Sequence, residues 1–149
     1  MKQRIYLDTS VLSALHDDRA PERRLQTQEF WNSLSAYEAS TSELTRQEIG
    51  DTPDAALRAR MLESLDALVV FPISAAMQQF AAAYIDAGIF PRTQEADAIH
   101  VAAAVLTRHD VLLSWNFKHL VNRRRRALVN ATNISLGAAT VDIISPLEL

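Results

Sequence analysis

Five short apolar segments alternate with helical patterns along the chain, and this alternation limits the fold more than any other feature. Between these segments, apolar residues recur every three or four positions, which is the spacing of an amphipathic helix. Strands that alternate with helices form a parallel sheet covered on both faces. The sequence therefore predicts an α/β fold, and its predicted strands are residues 4–7, 37–41, 68–71, 111–114 and 141–144.

The helical segments have recognisable starts and core contacts. Pro21 begins a helix in which Leu25 and Phe30 are predicted to face the core. The segment 95–108 is apolar almost all round, so we expect a helix that is buried on most sides. A last helix is predicted over residues 118–130.

Length and composition indicate an ordinary globular protein. The chain has 149 residues, which predicts a single domain over residues 1–149. Its hydrophobic fraction of 48% and charged fraction of 22% are usual for such domains. The formal charge of −3 argues against indiscriminate binding of nucleic acid, because proteins with that property are usually basic. A local basic patch remains compatible with this charge.

The sequence has no feature that directs it out of the cytosol. There is no cysteine, which excludes disulfides and thiolate chemistry and is compatible with a reducing compartment. The first apolar run is interrupted at Asp8 and is too short for a signal peptide. No apolar run approaches the roughly 18 residues that a membrane-spanning helix needs. We therefore expect a cytoplasmic protein without a membrane partner.

Three carboxylates, far apart in sequence, occupy positions where an α/β fold exposes side chains. Asp8 follows the first strand, Glu48 lies late in a short helix, and Asp97 lies in the first turn of the apolar helix. Ligands of open α/β sheets bind beyond the carboxyl ends of the strands, so we expect these acids to face one crevice. Carboxylates without Lys or Arg neighbours repel each other, and a hard divalent cation relieves that repulsion. The pattern predicts a site for Mg²⁺ or Mn²⁺.

Two of these acids also have a purely structural interpretation. Asp8 could cap the helix that follows it, although Thr9 and Ser10 could do so in its place and leave Asp8 free. The helix dipole stabilises a carboxylate at a helix start by ~0.3–1 kcal/mol, so Asp97 could be there for stability alone. For both residues the functional interpretation is favoured, because each is expected at the crevice.

Four sequence blocks in a fixed order support that interpretation. They are residues 6–12 (YLDTSVL), 42–49 (SELTRQEI), 97–102 (DAIHVA) and 114–120 (SWNFKHL). With these blocks the chain resembles the PIN-domain ribonucleases, and among them the VapC-type toxins of bacterial toxin–antitoxin pairs. The resemblance extends from Ile5 to Leu149.

The resemblance implies both a fold and an activity. It implies a three-layer α/β/α domain with strand order 3-2-1-4-5 and a metal-dependent endoribonuclease in which Asp8, Glu48 and Asp97 hold the metal. It also selects Glu48 over Glu43, because the family's acid lies late in this helix, and Glu43 is then expected to serve the helix start. An RNA substrate, a small cognate antitoxin that blocks the pocket, and a homodimer are implied as well. No side-chain nucleophile is needed.

The fourth site position departs from the commonest family pattern. Many relatives carry Asp after the fourth strand, and this chain carries Asn116. A neutral amide adds no charge, so we expect Asn116 to assist catalysis through water, with Ser114 orienting either Asn116 or a ligand water. The alternative is a catalytically weakened PIN-fold module that binds RNA or the antitoxin. A phosphoryl-transfer enzyme with Asp8 as nucleophile is disfavoured, because the second Asp of an Asp-x-Asp pair is replaced by Ser10.

Several residues near these blocks have two interpretations each. His100 is expected to be a hydrogen-bonded core residue, although it follows Asp97 by one helical turn. Trp115 and Phe117 could stack nucleobases, but core packing is favoured for both. The run from Arg123 to Arg126 could contact RNA phosphates or could be a solvated or partner-binding surface, and both interpretations stay open.

Overall fold

A single sheet of five parallel strands lies between two layers of helices. The computed structural model describes residues 1–149. The sheet has the order β3-β2-β1-β4-β5 with every neighbouring pair parallel, which confirms the predicted α/β class and the strand order 3-2-1-4-5. The strands are β1 (Arg4–Leu7), β2 (Glu38–Ser42), β3 (Val69–Phe71), β4 (Val111–Leu113) and β5 (Asp142–Ile144).

Seven α-helices connect and cover the strands. As its apolar sequence predicts, the sixth helix is buried along most of its length. None of the helices is both long and apolar enough to span a membrane. The helices are α1 (Thr9–His16), α2 (Pro21–Asn32), α3 (Glu43–Gly50), α4 (Ala55–Ser64), α5 (Ala75–Asp86), α6 (Glu95–Leu106) and α7 (Arg123–Ser135).

Side chains of the central strands alternate between two apolar cores. Tyr6 and Leu112 are paired in register and belong to the core that contains residues of α5 and α6. Ile5 and Leu7 belong to the second core, which contains residues of α1, α2 and α4. This period of two places apolar side chains on both faces, as expected for a parallel sheet between two helical layers.

The strand order reverses beside β1. The chain runs from β1 to β2 and β3 on one side, and then crosses to β4 and β5 on the other. In open α/β sheets, ligands bind beyond the carboxyl ends of the strands at such a point. Asp8 directly follows β1, so the fold alone places one predicted site residue there.

The last helix begins later than the sequence predicts. Residues 117–120 form a turn and residues 121–122 a bend, and α7 runs from Arg123 to Ser135. The side-chain oxygen of Asn122 accepts a hydrogen bond from the Arg125 N–H at 2.8 Å and fixes the start of the helix. The prediction of a helix from residue 118 is wrong because this cap interrupts the helical pattern.

The predicted core contact of Leu25 is also wrong. Leu25 is 57% exposed, whereas Phe30 on the same helix is buried as predicted. Five positions on an α-helix correspond to a rotation of about 140°, so the two side chains lie on different faces. Phe30 faces the sheet, and Leu25 is left on the surface.

A buried histidine before β4 is held in one neutral tautomer. His109 is 3% exposed and lies between the side chains of Ser40 and Thr107. The Thr107 hydroxyl donates to the Ala103 carbonyl at 2.5 Å, so its oxygen accepts from His109 Nδ1–H at 2.7 Å. His109 Nε2 then accepts from the Ser40 hydroxyl. Burial and the positive charge of Arg4 lower the pKa of His109 to about 4.

This histidine makes stability depend on pH. Between its ordinary pKa of 6.5 and the folded value of about 4, unfolded His109 takes up a proton that the folded residue does not. The contribution of neutral His109 to the free energy of unfolding is fully present above pH 6.5. It is lost as the pH falls toward about 4, by at most about 1.4 kcal/mol per pH unit. We expect urea denaturation to show a shallower fall in His109→Gln than in wild type. Equal slopes would contradict this.

Candidate functional site

Asp8 is buried at the carboxyl end of β1 and is held by two serines. It is 4% exposed. Its Oδ1 accepts from the Ser10 N–H at 3.0 Å and from the Ser10 hydroxyl at 2.5 Å, and its Oδ2 accepts from the Ser114 hydroxyl at 2.5 Å. Asp8 is therefore the N-cap of α1. The expectation that Thr9 or Ser10 caps this helix in its place is wrong, because the Ser10 side chain binds Asp8 itself.

Asp97 lies in the first turn of α6 and interacts electrostatically with Asp8 and Glu48. Its Oδ2 lies 3.1 Å from His119 Nδ1, and its side chain is 20% exposed. Burial raises the pKa of Asp97, His119 and His100 oppose this rise, and the charge of Glu48 adds to it. Burial likewise raises the pKa of Asp8, and the charge of Asp97 adds to that shift. The carboxylates are thus close enough to influence each other.

Glu48 is the acid of α3 that lies in this crevice. Its Oε1 accepts from the Thr9 hydroxyl at 2.6 Å and from His100 Nε2 at 2.6 Å. Glu43 instead pairs with Arg46 at 3.0 Å on the surface. Burial acts to raise the pKa of Glu48, but the hydrogen bonds from His100 and Thr9 and the charge of His100 leave it below its ordinary value.

His100 is buried among these acids, and their charges favour its protonated form. It is 2% exposed, its Nε2 donates to Glu48, and its Nδ1 lies 2.7 Å from the Tyr6 hydroxyl. Burial opposes the charged form, yet Tyr6, Glu48 and Asp8 raise the pKa of His100 to about 10. The prediction of a hydrogen-bonded core residue is confirmed. His100 in addition favours the charged forms of all three acids.

Asn116 contacts the site only indirectly. Its side-chain oxygen accepts from the His119 N–H at 2.9 Å and closes the turn after β4. Its backbone N–H donates to Ser114 Oγ at 2.9 Å, and Ser114 donates in turn to Asp8. The amide nitrogen of Asn116 is the part of the side chain left free for a water. Ser114, which the sequence predicts to orient Asn116 or a water, directly orients Asp8.

Four residues without a predicted site role hold the acids or His100 in place. They are Thr9, Ser10, Tyr6 and His119. For Thr9 and Ser10 a signal existed, because hydroxyl residues directly after a strand-end acid can reach that acid or its neighbours. For Tyr6 and His119 no local signal existed, because their contacts depend on which faces of distant elements meet.

The oxygens of this site suit a hard divalent cation, but they do not form a complete cage. Asp8 Oδ2, Glu48 Oε2 and Asp97 Oδ1 each keep free acceptor capacity. No group of three or more His, Asp or Glu side chains is arranged to hold a metal ion. Mg²⁺ commonly binds through only one or two carboxylates and keeps several waters. The residues therefore fit Mg²⁺ or Mn²⁺ bound by carboxylate oxygens and waters together.

The basic run of residues 123–126 is divided between structural and surface roles. The guanidinium of Arg125 lies 4.3 Å from the centre of the Phe90 ring and also hydrogen-bonds within the protein. Arg126 pairs with Asp142 at 3.1 Å. Only the first two arginines of the run are exposed. At most these two are free to contact phosphates or a partner.

Comparison with solved structures shows where this fold occurs. The sequence matches no protein-family model and, at a significant level, no curated protein. The structure is similar to FitAcB from Neisseria gonorrhoeae, with a TM-score of 0.65, 15% identity, and coverage of 97% of this chain and 99% of that one. It is also similar to a toxin–antitoxin complex from Klebsiella pneumoniae, with a TM-score of 0.60, 20% identity, and coverage of 81% and 93%.

A third similar structure is VapBC2 from Rickettsia felis bound to a DNA fragment from its promoter. Here the TM-score is 0.61 at 10% identity, and the coverage is 96% of this chain and 98% of that one. At these identities the likeness shows the fold. The chain therefore has the PIN-like fold that its sequence blocks imply. The same fold is found in the toxin–antitoxin complex from Klebsiella pneumoniae and in VapBC2 from Rickettsia felis.

The contact between His100 and Glu48 can be tested by a double-mutant cycle. His100→Ala should lower the free energy of unfolding by about 1–3 kcal/mol, because Glu48 loses a buried donor. Adding Glu48→Ala should recover part of this loss, because no carboxylate is then left facing the cavity. Urea denaturation of the wild type, both single variants and the double variant measures the coupling. Strictly additive effects would show that the two side chains do not interact.

Proposed function

We propose that this chain is a metal-dependent endoribonuclease and the toxin component of a toxin–antitoxin pair. The observation that carries the proposal is that Asp8, Glu48 and Asp97, from three separate elements, lie in one crevice where the strand order reverses. The PIN-like fold supports it, because chains with this fold occur in complexes described as toxin–antitoxin complexes.

In this proposal Asp8 and Asp97 hold Mg²⁺ or Mn²⁺, and Glu48 completes the site directly or through water. Asp8 and Asp97 suit this role because burial raises the pKa of each, so that a cation beside them is strongly favourable. The divalent cation would supply Lewis acidity for the hydrolysis of a phosphodiester bond. The protein's own contribution is to fix the orientation of the three carboxylates.

Orientation of the acids comes from groups that donate hydrogen bonds. Ser10 and Ser114 fix the Asp8 carboxylate from both sides. His100 binds Glu48 and reduces the net negative charge of the crevice, which lowers the repulsion that a polyanionic RNA meets there. Asn116 is proposed to assist through a water held by its free amide nitrogen.

The proposal extends to the partners of the protein. A small antitoxin protein is expected to cover the crevice and prevent the entry of RNA. The resemblance of the sequence blocks also favours a homodimer and a cytoplasmic location. One similar chain comes from a structure described as a toxin–antitoxin complex, which supports the antitoxin part of this proposal.

A second candidate is a PIN-fold module that binds RNA or an antitoxin with little catalysis. Two observations favour this candidate. The side-chain oxygen of Asn116 is used to close a turn, and the acids do not form a ready three-ligand cage. Cleavage of RNA by the purified protein decides between the two candidates.

Conservative changes at the acids should abolish cleavage and preserve the fold. Asp8→Asn and Asp97→Asn keep the size and acceptor oxygen of each side chain but lose the charge. We expect a loss above the ~10–100-fold that follows removal of an outer ligand partner. Gel assays on labelled RNA measure it, with EDTA expected to stop cleavage and Mn²⁺ to restore it.

The controls for this assay lie on the same helices. Glu43→Gln on α3 and Glu95→Gln on α6 remove exposed acids outside the crevice. Both should leave the rate unchanged. Full activity in either Asn variant, or cleavage that is indifferent to EDTA in several preparations, would refute the assignment.

Expression in bacteria tests the toxin part of the proposal. Wild-type protein made without an antitoxin should arrest growth, because uncontrolled RNA cleavage stops protein synthesis. Asp97→Asn should relieve the arrest at an equal level of soluble protein. Growth curves and immunoblots provide the measurement. Normal growth with abundant soluble wild-type protein would contradict a toxin role.

A further inference from the structure

A cleft beside the acid crevice carries a second, chemically different surface. It has a volume of about 550 Å³ and lies between the α1–α2 region and the segment after β4. Ser10 lines the cleft and also donates to Asp8. Ser10 therefore links the lining of the cleft to the first acid of the crevice. Its cationic and aromatic lining residues are Arg23, Trp115, Phe117 and Lys118.

Arg23 lies against both aromatic rings of this cleft. Its guanidinium carbon is 5.3 Å from the centre of the Trp115 ring and 5.6 Å from that of Phe117. The two rings are 6.1 Å apart with an interplanar angle of 68°. Arg23 is exposed and forms none of the salt bridges of the protein. Its planar cation is thus held in place without an anionic partner.

The two walls of the cleft are fixed to each other by buried hydrogen bonds. Trp115 is 4% exposed, and its Nε1 donates to the Thr27 hydroxyl at 2.8 Å. The Thr27 hydroxyl donates in turn to the Arg23 carbonyl at 2.6 Å. Helix α2 is thereby tied to the segment after β4. Because Trp115 fills the core position, Phe117 is left 41% exposed, against the prediction that both aromatics pack in the core.

The charges of the cleft favour an anionic ligand, although the whole chain has a formal charge of −3. Lys118 is exposed and, like Arg23, forms no salt bridge. The acid that lines the cleft, Asp17, is paired with Arg19 at 2.8 Å. The unpaired side-chain charges of the lining are therefore positive.

We propose that this cleft is a subsite for one nucleotide of single-stranded RNA. A base stacks on the exposed face of Phe117 and on the plane of the Arg23 guanidinium, and the Arg23 and Lys118 cations contact the adjacent phosphates. Aromatic and arginine planes are the surfaces on which unpaired bases stack, and basic groups beside them follow the backbone. The inference rests on the proposed ribonuclease function. It assigns to Arg23 and Phe117 the binding of one unpaired base beside the crevice.

Binding of RNA in the Asp97→Asn background tests the subsite without cleavage. The measurement is fluorescence anisotropy of a labelled single-stranded RNA at several salt concentrations. Phe117→Leu keeps an apolar side chain but removes the aromatic face, and it should weaken binding about tenfold. Arg23→Ala should weaken binding as well and lower the log–log salt slope by roughly 0.7. Arg23→Lys should restore the slope but not the affinity, because it keeps the charge without the plane.

Two controls make the test specific. Arg108→Ala removes another exposed arginine that forms no salt bridge, in the loop before β4 and thus at the opposite edge of the sheet. It should leave both affinity and salt slope unchanged. A series of RNAs with one abasic nucleotide should show a position that weakens wild-type binding about tenfold and has no effect in Phe117→Leu.

The outcomes separate the subsite from the proposed activity. Unchanged affinity, slope and abasic profile in the Arg23 and Phe117 variants would overturn the subsite, as would a wild type that binds no RNA. Normal RNA binding by Arg23→Ala with weakened binding of an acidic protein partner would also overturn it. If the wild type cleaves RNA with Mn²⁺ but the Arg23 and Phe117 variants bind RNA as the wild type does, the subsite alone is refuted. RNA binding through the cleft without any cleavage by wild type refutes only the ribonuclease.

Discussion

The buried contact between His100 and Glu48 is the interaction on which the candidate site depends. It joins α6 to α3, and through the Tyr6 hydroxyl it also reaches β1 at the centre of the sheet. Burial alone would favour the neutral forms of these groups, and their mutual contact keeps both charged. A positive charge on His100 offsets the repulsion between Asp8 and Asp97 at the end of the sheet.

In the proposed function, the crevice and the neighbouring cleft would divide the recognition of a phosphodiester substrate between them. The crevice offers carboxylate oxygens, which suit a divalent cation. The cleft offers an unpaired arginine and an exposed aromatic ring, which suit a base and its phosphate. Ser10 connects the two surfaces, because it lines the cleft and fixes Asp8. An overall acidic chain can therefore present positive charge where a polyanion would lie.

The sequence was sufficient to predict features set by local position and insufficient for contacts between distant elements. Asp8 and Asp97 could be placed at one edge because one follows a strand and the other begins a helix. The hydrogen bond of His100 to Glu48 could not be predicted, because it depends on how α6 and α3 rotate against the sheet. Nor does the sequence after β4 tell which of Trp115 and Phe117 is buried, because that depends on where α2 packs.

The most direct test of a metal-dependent acid centre is a crystal structure of the wild-type protein soaked in Mn²⁺, with the metal located by anomalous scattering. The account predicts a single strong peak within bonding distance of carboxylate oxygens of Asp8 and Asp97, with Glu48 joined directly or through a water. The His100 contact to Glu48 Oε1 should persist, because Oε2 is the oxygen left free. No peak at saturating Mn²⁺, or a peak only at other surface acids, would contradict the account.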